Sequence, residues 1–345
     1  MATAVPRIFP EASPIFPATK GSSPAQRVDI LQGRGEKTFF YTTPGMEIDY
    51  DGGKGAYHLP TKTAQFGKPP GKDNILNASK SPKKTRVPSA GERWISAKWP
   101  QLVINKTTKF PYTYTIDGDQ NYCVSKTTLH DPRPGLSDRD TAKWVDAMSI
   151  PYIVLPGNFW TEHGVVTGDL ATVYNQTTGK IVHAIFADSG PRNHVGEGSS
   201  ALAKALSPHD QTPLTWVVYP GSVRRPAWPV ATTTINSEGQ RLFRAWGGTL
   251  RIADMLIDEM QVTLNSLEVP GLPPFAIPKL RDILDAAQAS IRASKGNPSK
   301  RDDAIGELDN FVKQVTASKT FPSRVAAKFR NQAERARTAL SVPED

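Results

Sequence analysis

The sequence predicts a mainly β protein with interspersed helices, followed by a C-terminal helical bundle. The 30 prolines and 26 glycines among 345 residues favour many loops and short strands. Runs rich in β-branched and aromatic residues recur between turn signals from residue 37 to residue 222. Beyond residue 275, apolar residues instead recur at helical spacing, which predicts a change of fold class along the chain.

Composition divides the chain into an arm, a β-rich body and a helical end. Residues 1–36 are rich in proline, serine and glycine and have no hydrophobic periodicity, so we expect a flexible N-terminal arm. Residues 37–270 are expected to form the main domain, and residues 275–345 a C-terminal helical region. A chain of 345 residues fits about two domains of this kind.

The strands of the β-rich body are predicted from apolar runs and turn signals. A continuous apolar run bounded by prolines at 149–156 predicts a buried strand. Two β-rich runs joined by a turn at Asn175–Lys180 predict a hairpin over 168–188. The remaining predictions are strands at 37–60, 100–130 and 214–222, a polar connection at 61–100, and a short helix or turn at 137–148.

Four longer helices are predicted after the strands. The first covers Leu250–Leu267, and the next three cover 277–294, 301–317 and 321–341. Such sustained periodicity predicts a small helical bundle. The bundle is expected either as a separate module or as a support for the β-rich body.

Cysteine content, hydropathy and charge narrow the classes of protein. The lone Cys123 excludes an internal disulfide and is typical of a protein made in a reducing cytosol. No apolar run approaches the ~20 residues that cross a bilayer, and the first residues do not resemble a secretory signal. The net charge is +9, and residues 66–110 hold ten Lys/Arg against two Asp/Glu. This stretch is either a solvated loop or a surface for an acidic polymer; no nucleic-acid partner is expected, because no binding motif accompanies the charge.

The segment Ile181–Leu206 carries two carboxylates on a sharply turned loop. An apolar strand runs into Asp188, a Gly/Pro loop follows, and Glu197 precedes a short helix capped by Ser199 or Ser200. Hydrolysis of a glycosidic bond uses one protonated and one ionised carboxyl group. A helix N-terminus favours the ionised form, which suggests Glu197 as the base and Asp188 as the acid. The alternative is a turn aspartate and a glutamate that satisfies a helix end.

Several further residues are candidates for binding the substrate. Each is also compatible with a structural role as a turn, core or loop residue, which is the more usual role of such residues. Asp49 and Asp51 flank Tyr50 and could also bind a cation, but the ligand set of a calcium loop is incomplete, so no metal and no cofactor is expected. The candidates are Asp49, Asp117, Asp119, Tyr152, Asp169 and His194.

Six segments resemble the chitosanases of glycoside hydrolase family 75, in the order of that family. They are EIDYDGGKGAYH (47–58), YCVSKTTL (122–129), IPYIVLP (150–156), GDLATV (168–173), AIFADSGPRNHVGEGSSALAKAL (184–206) and VVYPGS (217–222). The resemblance implies that Asp188 and Glu197 are the catalytic pair of an inverting, endo-acting hydrolase of β-1,4-linked glucosamine polymers. It also implies a six-stranded double-psi-like β-barrel with flanking helices.

The net charge of the chain and its expected action outside the cell leave more than one glycan possible as the substrate. A chain of net charge +9 repels the polycation chitosan unless its acidic groups are gathered in one cleft. Peptidoglycan is anionic, which makes a muramidase-like antibacterial effector the alternative, with an immunity or delivery protein as a possible partner. A non-catalytic carbohydrate-binding protein is the second alternative. In each hydrolase hypothesis the protein is cytoplasmic before export and acts outside the producing cell, without membrane insertion.

Overall fold

The computed structural model describes residues 12–20, 27–60, 71–89, 91–157, 162–191, 194–209, 211–267, 276–295, 297–318 and 321–343. Within these ranges the protein is a mixed α/β structure with two sheets. The strands are β1 (Ala12–Lys20), β2 (Arg27–Gly33), β3 (Phe39–Thr43), β4 (Glu47–Asp49), β5 (Tyr57–His58), β6 (Thr113–Ile116), β7 (Asp119–Cys123), β8 (Tyr152–Pro156), β9 (Leu170–Asn175), β10 (Ile181–Gly190), β11 (Glu197–Ser199) and β12 (Leu214–Tyr219). The α-helices are α1 (Ser200–Leu206), α2 (Thr232–Trp246), α3 (Gly248–Asn265), α4 (Ala276–Ser294), α5 (Lys300–Ala317) and α6 (Ser323–Ser341).

The large sheet has nine strands and is curled. Its order is β1-β2-β3-β12-β9-β10-β8-β11-β4, so five strands separate β3 from β4. In a flat sheet those two strands would lie about 29 Å apart. The chain from Thr43 to Glu47 spans four Cα steps, or at most about 15 Å. The sheet must therefore bend until β4 returns towards β3.

A close backbone contact shows where the two ends of this curl meet. Gly196, immediately before β11, has a φ of +96°, and a Cβ built on it would lie 2.8 Å from Cγ2 of Thr43 at the end of β3. The amide of Glu47 donates a 2.9 Å hydrogen bond to the carbonyl of Gly196. The positive φ at position 196 and the close approach of the Thr43 side chain both require a glycine there.

The predicted strands and helices are largely confirmed. The buried strand is β8, the hairpin is β9 and β10, the later strand is β12, and the four longer helices are α3 to α6. The Oγ of Ser199 accepts a hydrogen bond from the amide of Leu202, which confirms the predicted cap of α1. Helix α2 was not predicted. The pairing order of the described strands is linear, and the six-stranded double-psi barrel is not confirmed.

The expectation of a flexible arm over residues 1–36 is wrong for two stretches. Residues 12–20 and 27–33 form β1 and β2, and β2 pairs with both β1 and β3. Val28 and Ile30 are buried against the sheet, which stabilises β2 as part of the core. Residues 1–11 and 21–26 lie outside the described residues. The bounds of the predicted domains stay predictions.

The C-terminal helices share a hydrophobic core with the sheet. One cluster of buried residues runs from Tyr152 and Val154 in β8 to Phe311 and Phe329 in α5 and α6. Gly239 in α2 lies against His183 in β10, where a larger side chain would clash. Nη1 of Arg335 in α6 donates a 2.8 Å hydrogen bond to Oε1 of Gln176, next to β9. The helices thus form a layer packed on one face of the sheet.

The smaller sheet has the strand order β5-β7-β6 and a hydrophobic cluster of its own. It packs on a cluster that includes Trp94 and Trp99, whose ring centroids are 4.5 Å apart. These tryptophans lie in the stretch expected to be a polar connection at 61–100, of which residues 61–70 and 90 lie outside the described residues. None of the helices described above is long and apolar enough to cross a membrane.

Candidate active site

The register of three neighbouring strands places Asp188 and Glu197 on either side of Val154. In β10 Asp188 is the partner of Val154 of β8, and in β11 Glu197 is the partner of the same residue. All three residues line one cleft, so the two carboxylates share a face of the sheet. Two inter-strand steps put their backbones about 10 Å apart.

A β-bulge at Ala187 creates this alignment. Phe186 pairs with Ile153 and Asp188 pairs with Val154, so Ala187 is an extra residue in β10. The carbonyl of Ala187 accepts a 2.8 Å hydrogen bond from the amide of Leu129 instead. Bulges redirect side chains, and this one turns Asp188 towards the cleft where regular pairing would place an alanine opposite Val154.

Asp188 is buried and held by three donors. Its Oδ1 accepts hydrogen bonds from the amide of Thr128 at 2.9 Å, from Oγ1 of Thr128 at 2.7 Å and from the amide of Ser189 at 2.8 Å. Burial raises the pKa of Asp188, and these hydrogen bonds act in the opposite direction. The three donors stabilise the ionised form of the carboxylate.

Glu197 lies in a different environment. Burial raises its pKa well above the ordinary value, and the charges of Asp49, Glu47 and Asp188 raise it further. Among the described residues no donor is within hydrogen-bond distance of its carboxyl group. A Cβ on Gly190 would lie 2.9 Å from Cγ1 of Val154 and 3.3 Å from Oε2 of Glu197. Because Gly190 has no side chain, there is space for the carboxyl group of Glu197. Of Asp188 and Glu197, Glu197 is therefore the better suited to be the protonated group.

Asp49 and Asp51 complete an acidic cluster around Asp188. The three residues are buried and can each offer an oxygen within 4.8 Å of the others, a geometry that could hold a metal ion. Oδ1 of Asp51 accepts hydrogen bonds from Tyr57 at 2.7 Å and from Ser125 at 3.1 Å. Burial, with the charge of Asp188 as the next cause, raises the pKa of Asp49 to about 7. Without a cation, such close carboxyl groups share protons.

These residues line a cleft of about 790 Å³. This volume is within the range of ligand sites in proteins. The cleft is strongly acidic although the whole chain is basic, because Lys80 is its one Lys or Arg among the described residues. The acidic lining residues are Glu47, Asp49, Asp51, Asp73, Asp188 and Glu197.

Two further predicted site residues belong to this cleft or support it. His194 lines the cleft, and its Nε2 lies 3.0 Å from Oε2 of Glu47. Tyr152 is fully buried beneath the cluster and donates a 2.9 Å hydrogen bond to the carbonyl of Asp51. Its hydroxyl thus positions the β4–β5 connection, which gives Tyr152 a structural contact with the site.

The other three predicted residues lie elsewhere, outside the described lining of the cleft. Asp169 is fully buried and accepts hydrogen bonds from the amides of Val166 at 2.9 Å and Val223 at 2.8 Å. Asp117 has a φ of 49° in the turn between β6 and β7. Asp119 lies 2.8 Å from Nε2 of His58. Asp169 thus has contacts within loops, Asp117 lies in a turn, and Asp119 contacts a neighbouring strand of the small sheet.

Glu47, Thr128 and Asp73 are site residues that were not predicted from the sequence. Glu47 alternates along the chain with the predicted Asp49 and with Asp51, and this period of two is the signal that places carboxylates on one face of a strand. Thr128 and Asp73 have no comparable signal, because each reaches the cleft from a loop. Compared with known proteins, the chain matches no family model and no curated protein.

Proposed function

We propose that the protein is an endo-acting glycoside hydrolase of glucosamine-containing polysaccharides, with Asp188 and Glu197 as its catalytic pair. The observation that carries this proposal is the alignment of both carboxyl groups across Val154 in one cleft. The two groups also have the unequal environments that acid and base roles require.

Glu197 is proposed as the general acid and Asp188 as the base. The pKa of Glu197 is raised well above its ordinary value by burial and by neighbouring carboxylates, which favours its protonated form. Asp188 accepts three hydrogen bonds that favour its ionised form. The helix that follows Glu197 in the sequence predicts the reverse assignment, with Glu197 as the base. Glu197 instead begins strand β11, and the seven-residue α1 starts at Ser200.

The backbone spacing of Asp188 and Glu197 is compatible with an inverting mechanism. Inverting hydrolases hold their carboxyl groups about 6.5–9.5 Å apart, which leaves room for a water molecule. Backbones about 10 Å apart on one face allow side chains to span such a gap. In the proposed reaction Asp188 accepts a proton from water as it attacks the anomeric carbon, and Glu197 donates its proton to the leaving glycosidic oxygen.

The charge of the cleft favours an amino sugar as the substrate. The carboxyl groups of Glu47 and Asp49 on β4, together with that of Asp73, line the cleft in which a sugar chain would lie. A protonated amine is attracted to these groups although the whole protein has a net charge of +9. A chitosan-like polymer fits this lining better than a neutral glycan does.

A double-psi-like barrel stays part of the proposal. The six strands that would form this barrel are adjacent in the large sheet: β3, β12, β9, β10, β8 and β11. The bending of the sheet that brings β4 back towards β3 supports a barrel-like arrangement. The likeness of DSGP and GEGS to the chitosanase family supports the same assignment. Activity on an external glycan further implies delivery outside the producing cell.

The test measures hydrolysis in two isosteric variants, Asp188→Asn and Glu197→Gln. We expect each to lower kcat on a chitosan hexamer by about 10²–10⁴-fold, because each removes a proton-transfer group. Asp117→Asn and Glu162→Gln are matched controls that make the same chemical changes away from the cleft. NMR of the first product should show inverted anomeric configuration. Full activity in both variants would refute the assignment, and glycan binding without hydrolysis by the wild type would favour a non-catalytic binding protein.

The peptidoglycan-degrading effector is retained as a second candidate because basic residues border the acidic cleft at Lys80. Mass analysis of products from purified sacculi and from chitosan separates the two. Muropeptides without glucosamine oligomers would identify the muramidase. In that case an immunity or delivery protein is the expected partner.

A further inference from the structure

A second cavity, of about 580 Å³, lies beside the acidic cleft and has the opposite charge. Five cationic side chains line it, and Glu92 is the one acidic residue among its described lining. Arg86 forms a two-pronged ion pair with Glu92, at 2.6 and 2.7 Å, so this pair is neutral. The other four cations form no ion pair within the described part of the chain. They are Lys80, Lys84, Arg93 and Lys98.

The two cavities share a wall. Lys80 lines both of them, and Pro82 lines the acidic cleft while Ser81 lines the basic cavity. On the facing segment Trp99 lines the basic cavity, and the next residues line the cleft. The amide of Lys80 donates a 2.9 Å hydrogen bond to the carbonyl of Lys98, which joins the two segments of this wall. A polymer that extends from the cleft past Lys80 would therefore reach the basic cavity.

We infer that the basic cavity binds anionic substituents of the same glycan whose amino groups enter the acidic cleft. The substrate class is thus a zwitterionic polysaccharide that carries both free amines and carboxylates. This inference rests on the proposed function, because it assigns a glycan to the acidic cleft. It goes beyond chitosan, which has no anion for the basic cavity, and beyond fully N-acetylated glycans, which have no cation for the cleft.

A carboxylated glycan fits the basic cavity better than a single-stranded nucleic acid does. Nucleic acid is usually held by exposed aromatic rings between the cations, on which bases stack. Trp99 is the one aromatic residue in the described lining, and it is 1% exposed. The neighbouring Trp94 is buried against it. The cavity offers positive charge without a stacking surface.

The experiment compares the affinity for two hexasaccharides of equal length, chitosan and O-carboxymethyl chitosan. Binding is measured by calorimetry on the full chain carrying Asp188→Asn, so that hydrolysis does not interfere. We expect the carboxymethylated chain to bind more tightly. Adding Lys84→Glu and Arg93→Glu should lower the ratio of the two affinities about tenfold, which is the size expected for reversing two exposed charges. The difference in affinity between the two hexasaccharides should decrease at high salt, because salt screens the charge interactions.

Lys83→Glu is the matched control. Lys83 is exposed and adjacent to Lys84 but does not line either cavity, so its reversal should change the ratio less than twofold. Near-UV circular dichroism of each variant checks that the fold is retained. An unchanged ratio in the Lys84/Arg93 variant, or an equal loss in the control, would overturn the inference. So would tighter binding of a single-stranded oligonucleotide that depends on Lys84 and Arg93.

Failure of the proposed function gives a different result from failure of this inference. If the wild type hydrolyses chitosan but the affinity ratio does not depend on Lys84 and Arg93, the hydrolase assignment stands and the zwitterionic substrate is refuted. If the ratio behaves as expected while the wild type cleaves neither hexasaccharide, the binding inference is supported and the hydrolase proposal fails.

Discussion

The hydrogen bond from Thr128 to Asp188 allows a quantitative test of the base assignment. Oγ1 of Thr128 lies 2.7 Å from Oδ1 of Asp188, and the Thr128 amide donates to the same atom at 2.9 Å. Thr128→Val removes the hydroxyl donor and keeps the amide and the shape of the side chain. A hydrogen bond to a charged group contributes about 1.5–3 kcal/mol. Because one pKa unit corresponds to 1.36 kcal/mol, the pKa of Asp188 should rise by about 1–2 units.

The assay is the pH dependence of kcat/KM on a chitosan oligomer. A base must be ionised, so a higher pKa moves the acidic limb of the profile to higher pH. Below that limb the variant should lose about 10–100-fold in rate, whereas at the plateau it should approach the wild type. Thr108→Val, on an exposed loop, is the control. An unmoved acidic limb would refute Asp188 as the base, and a loss of equal size at every pH would show a structural role for Thr128.

Three other predictions follow from the buried charges and close contacts. Asp49 has a pKa of about 7 in the folded protein, so its contribution to stability is complete below its ordinary pKa of 3.8 and is lost as the pH rises through about 7. Asp49→Asn should therefore raise Tm more at pH 8 than at pH 5, and Asp117→Asn should not. Gly190→Ala should lower kcat by displacing Glu197 or Val154, with Tm measured in parallel to separate this effect from unfolding. Glu36→Gln should reduce the free energy of unfolding in urea by about 2–3 kcal/mol, because the guanidinium of the 1%-exposed Arg251 loses its two-pronged partner.

Elements with strong local signals could be predicted from the sequence. The apolar run of β8 and the turn between β9 and β10 define their strands locally. The spacing of apolar residues in α4, α5 and α6 likewise defines one face of each helix. Helix α2 was missed because few of its residues are apolar and it contains Gly239, which is there to fit against His183.

The assembly of the site could be predicted only in part. Asp188 and Glu197 lie in a turn-rich segment between a strand and a helix, and this local pattern predicts both as site residues. The extra residue Ala187, which decides the face that Asp188 occupies, depends on a hydrogen bond to Leu129 far away in the chain. The strand β2 was missed because its neighbours in sequence are turn formers, while its stability comes from pairing with β3. Contacts between distant segments carry no local pattern.

The parallel pairing of β4 with β11 has a consequence for how the candidate site is assembled during folding. Glu47 and Glu197 are register partners although 150 residues separate them in the chain. Pairings of such long range form late, because the entropy of closing the intervening chain must be overcome first. Asp49 joins Asp188 only when β4 pairs with β11. A chain that has not formed this pairing therefore has all of the carboxylates but no assembled site, and the proposed activity should appear during refolding only after β4 and β11 have paired.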